Sequence, residues 1–370
     1  MRHILFATTF LASIAAVGAA QAQTRQVNVY NWSDYIDEQV LKDFEKETGI
    51  KVRYDVFDSN DVLETKLLAG KTGYDIVVPT GAFLGRQIQA GVFQKLDKSK
   101  LPNLVNMWPD ISKRLAAYDP GNEYAINYMW GTTGVGYNIA KIKERMPDAP
   151  VDSAAMVFNP EIVAKFKDCG VMILDAADEV VPAVANYLGL DPNTTKEEDF
   201  TKIREHMKLV RPSVRKFHSS EYINALANGD ACLVFGWSGD VKQAQTRAEE
   251  ANAKKKDKAK HVMIDYVIPK EGALMWFDNM AIPSDAKNVA EAHEFLNYIM
   301  KPEVSAKLTN YVQYPSGNLE AQKFVDKAVL DNPQIYPKPE TVAKLFTNKV
   351  KSQAEQKALT SLWRDIKRGR

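Results

Sequence analysis

The feature that most constrains the fold is an exchange of hydrophobic periods between Val27 and Pro79. Val27-Asn28-Val29-Tyr30 is an apolar run of strand length. Ile36, Val40, Leu41 and Phe44 then recur at helical spacing, and Thr48-Gly49 supplies a helix stop. Lys51 to Phe57 alternates with a period of two. Asp58-Ser59-Asn60 offers caps for a helix carrying Val62, Leu63, Leu67 and Leu68, ended by Gly70, and Tyr74 to Pro79 reads as a buried strand. Strand, helix, strand, helix, strand at this spacing predicts an α/β fold with a mainly parallel sheet flanked by helices, because parallel neighbours need a crossover connection. The pattern restarts at Val171-Met172-Ile173-Leu174, followed by an apolar helix from Val180 to Leu188 and further strands at Ala231 to Phe235, His261 to Pro269 and Ala273 to Pro283. Tyr128 to Asn138, rich in Gly and Thr and without clear period, reads as an interdomain crossover. At about 150 residues per domain, 370 residues predict two domains.

Ligands of such sheets sit beyond the carboxyl ends of the strands. The segments predicted there share a composition. Trp32, Trp237 and Trp276 each lie close in sequence to a carboxylate, namely Asp34, Asp240 and Asp278, and Thr80, Glu179 and Tyr314 occupy comparable ends. Asp278 is the sharpest case, an acid inside an apolar strand directly after Trp276-Phe277. A lone carboxylate there costs several kcal/mol unless a positive group meets it. Two readings are open: an internal Lys or Arg, or a cationic ligand faced by Trp276. Indole faces attract cations and carboxylates make charge-assisted bonds to ammonium groups, so several such units around one cleft suit a ligand with more than one ammonium on an apolar chain. Asp240 falls at a helix start, where the helix dipole favours its ionised form, and simple capping is the alternative.

Other classes fit less well. Gly236-Trp237-Ser238-Gly239-Asp240 has Asp where a G-x-S-x-G nucleophile elbow needs Gly. His206, His218, His261 and His293 show no metal spacing, no phosphate-binding Gly loop is present, and no metal or cofactor is expected. Nothing sets an acid opposite a base for glycoside hydrolysis. A formal net charge of +1 argues against nucleic acid as a partner. Anionic ligands want Arg and helix N-termini without acids, and these loops offer acids and almost no Arg.

Arg2-His3, an apolar run from Ile4, and Ala20-Gln21-Ala22 form a secretory signal pattern, so residues 1–22 are predicted to be removed on export. No lipid anchor is expected, and nothing later reaches the roughly 18 apolar residues of a membrane span. Cys169 and Cys232, an even count in an exported chain, suggest a disulfide, with two buried thiols as the alternative.

Across nearly the whole mature chain the sequence resembles the periplasmic polyamine-binding proteins of bacterial ABC importers, above all the putrescine-binding type. The resemblance is carried by Tyr30-Asn31-Trp32-Ser33-Asp34-Tyr35-Ile36, Phe44 to Phe57, Cys169-Gly170-Val171, His218-Ser219-Ser220, Gly236-Trp237, Ile268 to Ala273 and Lys344-Leu345-Phe346-Thr347. It implies a two-lobed type II binding protein without catalysis, acting as a monomer and docking on an inner-membrane permease. Residues 23–133 with 276–312 would form one lobe, and 134–275 with 313–370 the other. It carries ligand roles to Trp32, Ser33, Asp34, Tyr35, Thr80, Glu179, Trp237, Asp240, Trp276, Asp278 and Tyr314, and implies a Cys169–Cys232 disulfide. Ser33, Asp34, Ala176 and Asp240 look like the putrescine type. Trp276 stands where putrescine binders carry Phe and spermidine binders Trp, and Asn348 where they carry Leu and Gln. The mixed set predicts that spermidine binds at least as well as putrescine. The alternative is a type II binder for a different small cationic or amino-acid ligand.

Overall fold

A computed structural model describes residues 25–369, so the predicted signal peptide lies outside the described residues. Among the described residues nine strands are formed: β1 (Gln26–Trp32), β2 (Lys51–Phe57), β3 (Ile76–Val77), β4 (Ala125–Asn138), β5 (Val171–Ile173), β6 (Lys216–Phe217), β7 (Leu233–Trp237), β8 (Ile264–Val267) and β9 (Met275–Ala281). β1 pairs in parallel with β2 and β3, and β5 with β6 and β7. Each trio is the parallel part of one lobe. β9 is antiparallel to β3 and β4, and β4 is antiparallel to β7 and β8.

β4 joins the lobes. Its Ala125–Thr132 part pairs with β9, and its Thr133–Tyr137 part pairs with β7. All 14 of its residues are buried, which is why no alternation marks it as a strand in the sequence. Its glycines answer to close approach. A Cβ on Gly136 would lie 2.7 Å from Val241 Cγ2, and one on Gly131 would lie 2.6 Å from the Trp276 indole.

Val27, Val29, Val40, Phe44, Leu63 and Leu67 enter the core of the first lobe, where Val40 and Phe44 repeat at helical spacing on the Glu38–Thr48 helix. Asp37 caps that helix by accepting from Gln39 N–H, and Gly49, at φ 70°, ends it. Val135, Phe158, Val171, Ile173, Leu233 and Phe235 anchor the second core. The Cys169–Cys232 disulfide, Cα–Cα 5.5 Å, ties the entrance of β5 to that of β7.

The C-terminal segment, 313–370, contributes to both cores. Tyr314 belongs to the first core. Ala321, Val325, Val329 and Ile335 pack on Ala306 of the Pro302–Val312 helix, and Tyr336 and Leu345 pack on the Trp130–Phe277 cluster. Only the Gln353–Arg368 helix reaches the second core, through Leu359, Leu362, Trp363 and Ile366. Nothing in the spacing of apolar residues between 313 and 350 signals which lobe they cover.

Candidate ligand-binding site

The carboxyl ends of the parallel strands meet between the lobes. β1 runs into Ser33-Asp34-Tyr35. β3 runs into Thr80, the N-cap of the Gly81–Gln89 helix. β5 leads to the Ala177–Tyr187 helix with Glu179 in its first turn, and β7 leads to the Ser238–Ala253 helix with Asp240 in its first turn. Asp278 comes from the middle of β9. There the β4–β9 register shifts between Asn127 and Met129, and Asn127 donates to the Asp278 carbonyl at 2.9 Å.

These elements surround a cavity between the lobes. Of the eleven residues expected there, Trp32, Ser33, Tyr35, Thr80, Glu179, Trp237, Asp240, Trp276, Asp278 and Tyr314 line it. Asp34 does not. Its backbone sits at φ 55° and its carboxylate meets Arg247 of the opposite lobe at 2.6 Å, on the cleft surface. Asp58 and Ser219 line the cavity although the sequence reading missed them. The signal was present: both follow closely on strands, β2 and β6, and the same carboxyl-end rule finds them.

The walls are aromatic. Trp32 packs at 4.7 Å on Phe57 and edge-on to Trp237 at 5.6 Å, and its indole N–H donates to the Val78 carbonyl. Tyr314 stands edge-on to Tyr35 at 5.3 Å and to Trp276 at 5.2 Å. Gly239 makes room for Tyr314, since a Cβ there would fall 2.5 Å from Tyr314 Cδ2.

Four carboxylates line this cavity, those of Asp58, Glu179, Asp240 and Asp278, and hydroxyl groups hold the last three. Asp278 accepts from Tyr35 Oη at 2.9 Å and from Thr80 Oγ1 at 2.7 Å. Asp240 accepts from Tyr222 Oη and Tyr314 Oη, both at 2.7 Å. Glu179 accepts from Thr133 Oγ1. Among the described residues no Lys, Arg or His lies within ion-pair distance of any of the three. Of the two readings open for Asp278, the internal cation is therefore not the one the geometry supplies.

The electrostatics follow. Burial pushes the carboxyls of Asp278 and Asp240 up to about 7, against the pull of their hydroxyl donors, and pushes Glu179 up as well, with the Asp178 charge adding to it. The helix start that was expected to keep Asp240 ionised is outweighed by its desolvation. A dipole at a helix N-terminus is worth about 0.3–1 kcal/mol, whereas each pKa unit is 1.36 kcal/mol. An ammonium group entering the cavity would reverse these shifts by supplying the missing positive charge.

Asn348 is placed otherwise than expected. It does not line the cavity, and its side-chain amide donates to the Asp178 carbonyl at 2.8 Å. It is therefore not part of the cavity wall. Of the two residues read as favouring spermidine, only Trp276 remains at the site.

A model of the bacterial extracellular solute-binding proteins matches residues 39–338. The putrescine-binding periplasmic protein PotF of Escherichia coli K12 is 50% identical over 357 residues, 96% of this chain and 95% of that protein. The putrescine-binding periplasmic protein SpuD of Pseudomonas aeruginosa is 50% identical over 367 residues, 99% and 98% of the two chains. A putative spermidine/putrescine ABC transporter structure from Listeria monocytogenes superposes with a TM-score of 0.82 at 32% identity, covering 94% of this chain and all of that one.

Proposed function

We propose, from the premise that this chain belongs to the bacterial extracellular solute-binding proteins, that its two-lobed type II fold serves to capture putrescine in the periplasm for an ABC importer. It is a carrier and not an enzyme, and it works with membrane permease components as its relatives do. The observation that carries the ligand class is the pair Asp278 and Asp240. One comes from each lobe, both face one aromatic cavity, and both are held by hydroxyls with no protein cation beside them. A diamine supplies two ammonium groups to such acids and a methylene chain to the indoles. Because it touches both lobes, it binds the closed arrangement better than the open one and so draws the lobes together.

Trp32, Ser33, Tyr35, Thr80, Glu179, Trp237, Asp240, Trp276, Asp278 and Tyr314 form the contact set in this reading, with Asp34 acting at the mouth through Arg247. Putrescine takes precedence over spermidine, which reverses the preference read from Trp276 and Asn348. Asn348 is turned onto Asp178, and the two relatives at 50% identity are putrescine binders by name. The protein acts as a monomer and takes no nucleic acid. Calorimetry with putrescine, spermidine and a neutral amino acid is the test. Tighter binding of putrescine than spermidine supports the reading, and binding of the amino acid alone overturns it.

A further inference from the structure

The cavity carboxylates have a consequence for the protein without its ligand. Closing the lobes takes Asp278, Asp240 and Glu179 out of water together: they are 6%, 5% and 4% exposed. What faces them is neutral or negative, and the Asp58 carboxylate lines the same cavity. Around Asp278 stand Tyr35 and Thr80, with the charges of Asp178 and Asp240 beyond. Around Asp240 stand Tyr222 and Tyr314. Arg247, the cation that acts on it, is already held by Asp34 and Asn224. Glu179 meets Thr133 and Trp237, with Asp178 beside it. Lys351 and Arg86 act on Asp178 from behind, and Asp61 opposes them. Three negative charges cannot be closed into one small cavity without positive charge arriving.

Two sources of positive charge exist, an ammonium ligand and protons. We infer that protons substitute for the ligand, so that acidification closes the ligand-free protein on itself and makes closure a response to pH as well as to polyamine. The inference rests on the proposed cationic ligand and extends it to the unliganded state.

The sign is set by where the carboxyls titrate. Opening the cleft returns water to these acids and moves them toward the ordinary carboxylate range, near 4. In the closed cavity Asp278 and Asp240 titrate at about 7, raised chiefly by burial. A group whose pKa rises on closure takes up a proton as the lobes meet. Closure is therefore favoured as pH falls through about 7, by about tenfold per pH unit for each such group, and is unaided above it. With two groups, each already half protonated at about pH 7 in the closed form, the closed-to-open ratio rises by about three orders of magnitude between about pH 7 and about pH 5. The liganded protein behaves oppositely. Its acids are ionised against ammonium, so protons compete with the ligand and affinity falls with acidification.

The test is small-angle scattering on the mature protein, freed of polyamine by unfolding and refolding, at about pH 8 and about pH 5.5, with and without putrescine. Expected is a radius of gyration that shrinks toward the putrescine-bound value on acidification alone, and stays at that value when putrescine is present. An unliganded radius that does not move between the two pH values overturns the inference. Failure of putrescine itself to compact the protein at about pH 8 overturns instead the proposed function. A second reading uses Asp240→Asn/Asp278→Asn, which is isosteric and uncharged. It should be compact without ligand at about pH 8, and an open form there with an unchanged melting profile counts equally against proton-driven closure.

Discussion

Replacing Asp278 by Asn isolates the central electrostatic claim. The substitution keeps the shape, removes the charge, and turns one of the two oxygens that accept from Tyr35 and Thr80, at 2.9 and 2.7 Å, into an amide donor. Asp278 is 6% exposed and has no cationic neighbour among the described residues, so solvent screens its attraction for an ammonium group weakly. Loss of one partner of a buried, hydrogen-bonded charge pair costs about 2–5 kcal/mol, so affinity should fall by about 30-fold or more. Asp34 provides the contrast. Its side chain and that of Arg247 are each 34% exposed, and a pair so placed is worth about 0–1 kcal/mol. Asp34→Asn should therefore weaken putrescine binding about fivefold at most. Isothermal titration calorimetry at about pH 8 is the suitable assay. Asp278 is then ionised in the wild type, and protonation of its raised carboxyl, at about 7, does not blur the comparison. Equal losses for the two substitutions would refute the assignment of Asp278 as the anchor. A smaller loss for Asp278 than for Asp34 would place the ligand's charge at the mouth of the cleft.

Other substitutions probe separate links. Gly239→Ala puts a methyl group 2.5 Å from Tyr314 Cδ2 and should cost about 1–3 kcal/mol, read as a lower melting temperature together with weaker putrescine binding. An unchanged affinity would show that Tyr314 can move away from Asp240 freely. Asn348→Ala removes the bond to the Asp178 carbonyl and should lower stability in urea by about 1 kcal/mol, while the ratio of putrescine to spermidine affinities stays fixed. A shift of that ratio would return Asn348 to the ligand. Cys169→Ser/Cys232→Ser opens a link spanning 63 positions and should cost up to about 4 kcal/mol in urea unfolding, with putrescine affinity nearly unchanged, because the bridge lies at the far end of β5 and β7 from the cavity.

The fold was legible wherever one face of an element meets water. Val40 and Phe44 betray their helix because its other face is solvated, and Leu63 and Leu67 betray theirs. Val62 and Leu68, which the same pattern drew inward, are 47% and 58% exposed, since single apolar residues on a surface cost little. β4 was legible only as a crossover. A strand buried on both faces has no period, and its glycines, placed for contact with Trp276 and Val241, look like loop residues. The site was legible from the rule that ligands meet the strands' carboxyl ends, applied to acids with aromatic neighbours. Asp58 escaped because Asp58-Ser59-Asn60 also reads as a helix cap, and Ser219 because a lone serine carries no charge signal. Asn348 and Asp34 misled because the identity of a side chain does not fix its direction. One hydrogen bond, to the Asp178 carbonyl, turns the first away, and one ion pair, to Arg247, holds the second at the mouth.

The choice of hydroxyls as partners for the cavity acids unites these observations. A Lys or Arg beside Asp278 or Asp240 would stabilise the carboxylate permanently and leave nothing for a ligand to add. Tyr35, Thr80, Tyr222 and Tyr314 instead fix the direction of each carboxylate without cancelling its charge. The acids are aimed and left uncompensated, and the attraction is reserved for a cation that comes from outside. The same arrangement makes closure conditional, because the burial that strengthens the bond to an ammonium group also penalises the bare charge. Selectivity against anions and the coupling of binding to closure thus have one physical origin, and a single guanidinium engineered beside Asp240 should abolish both.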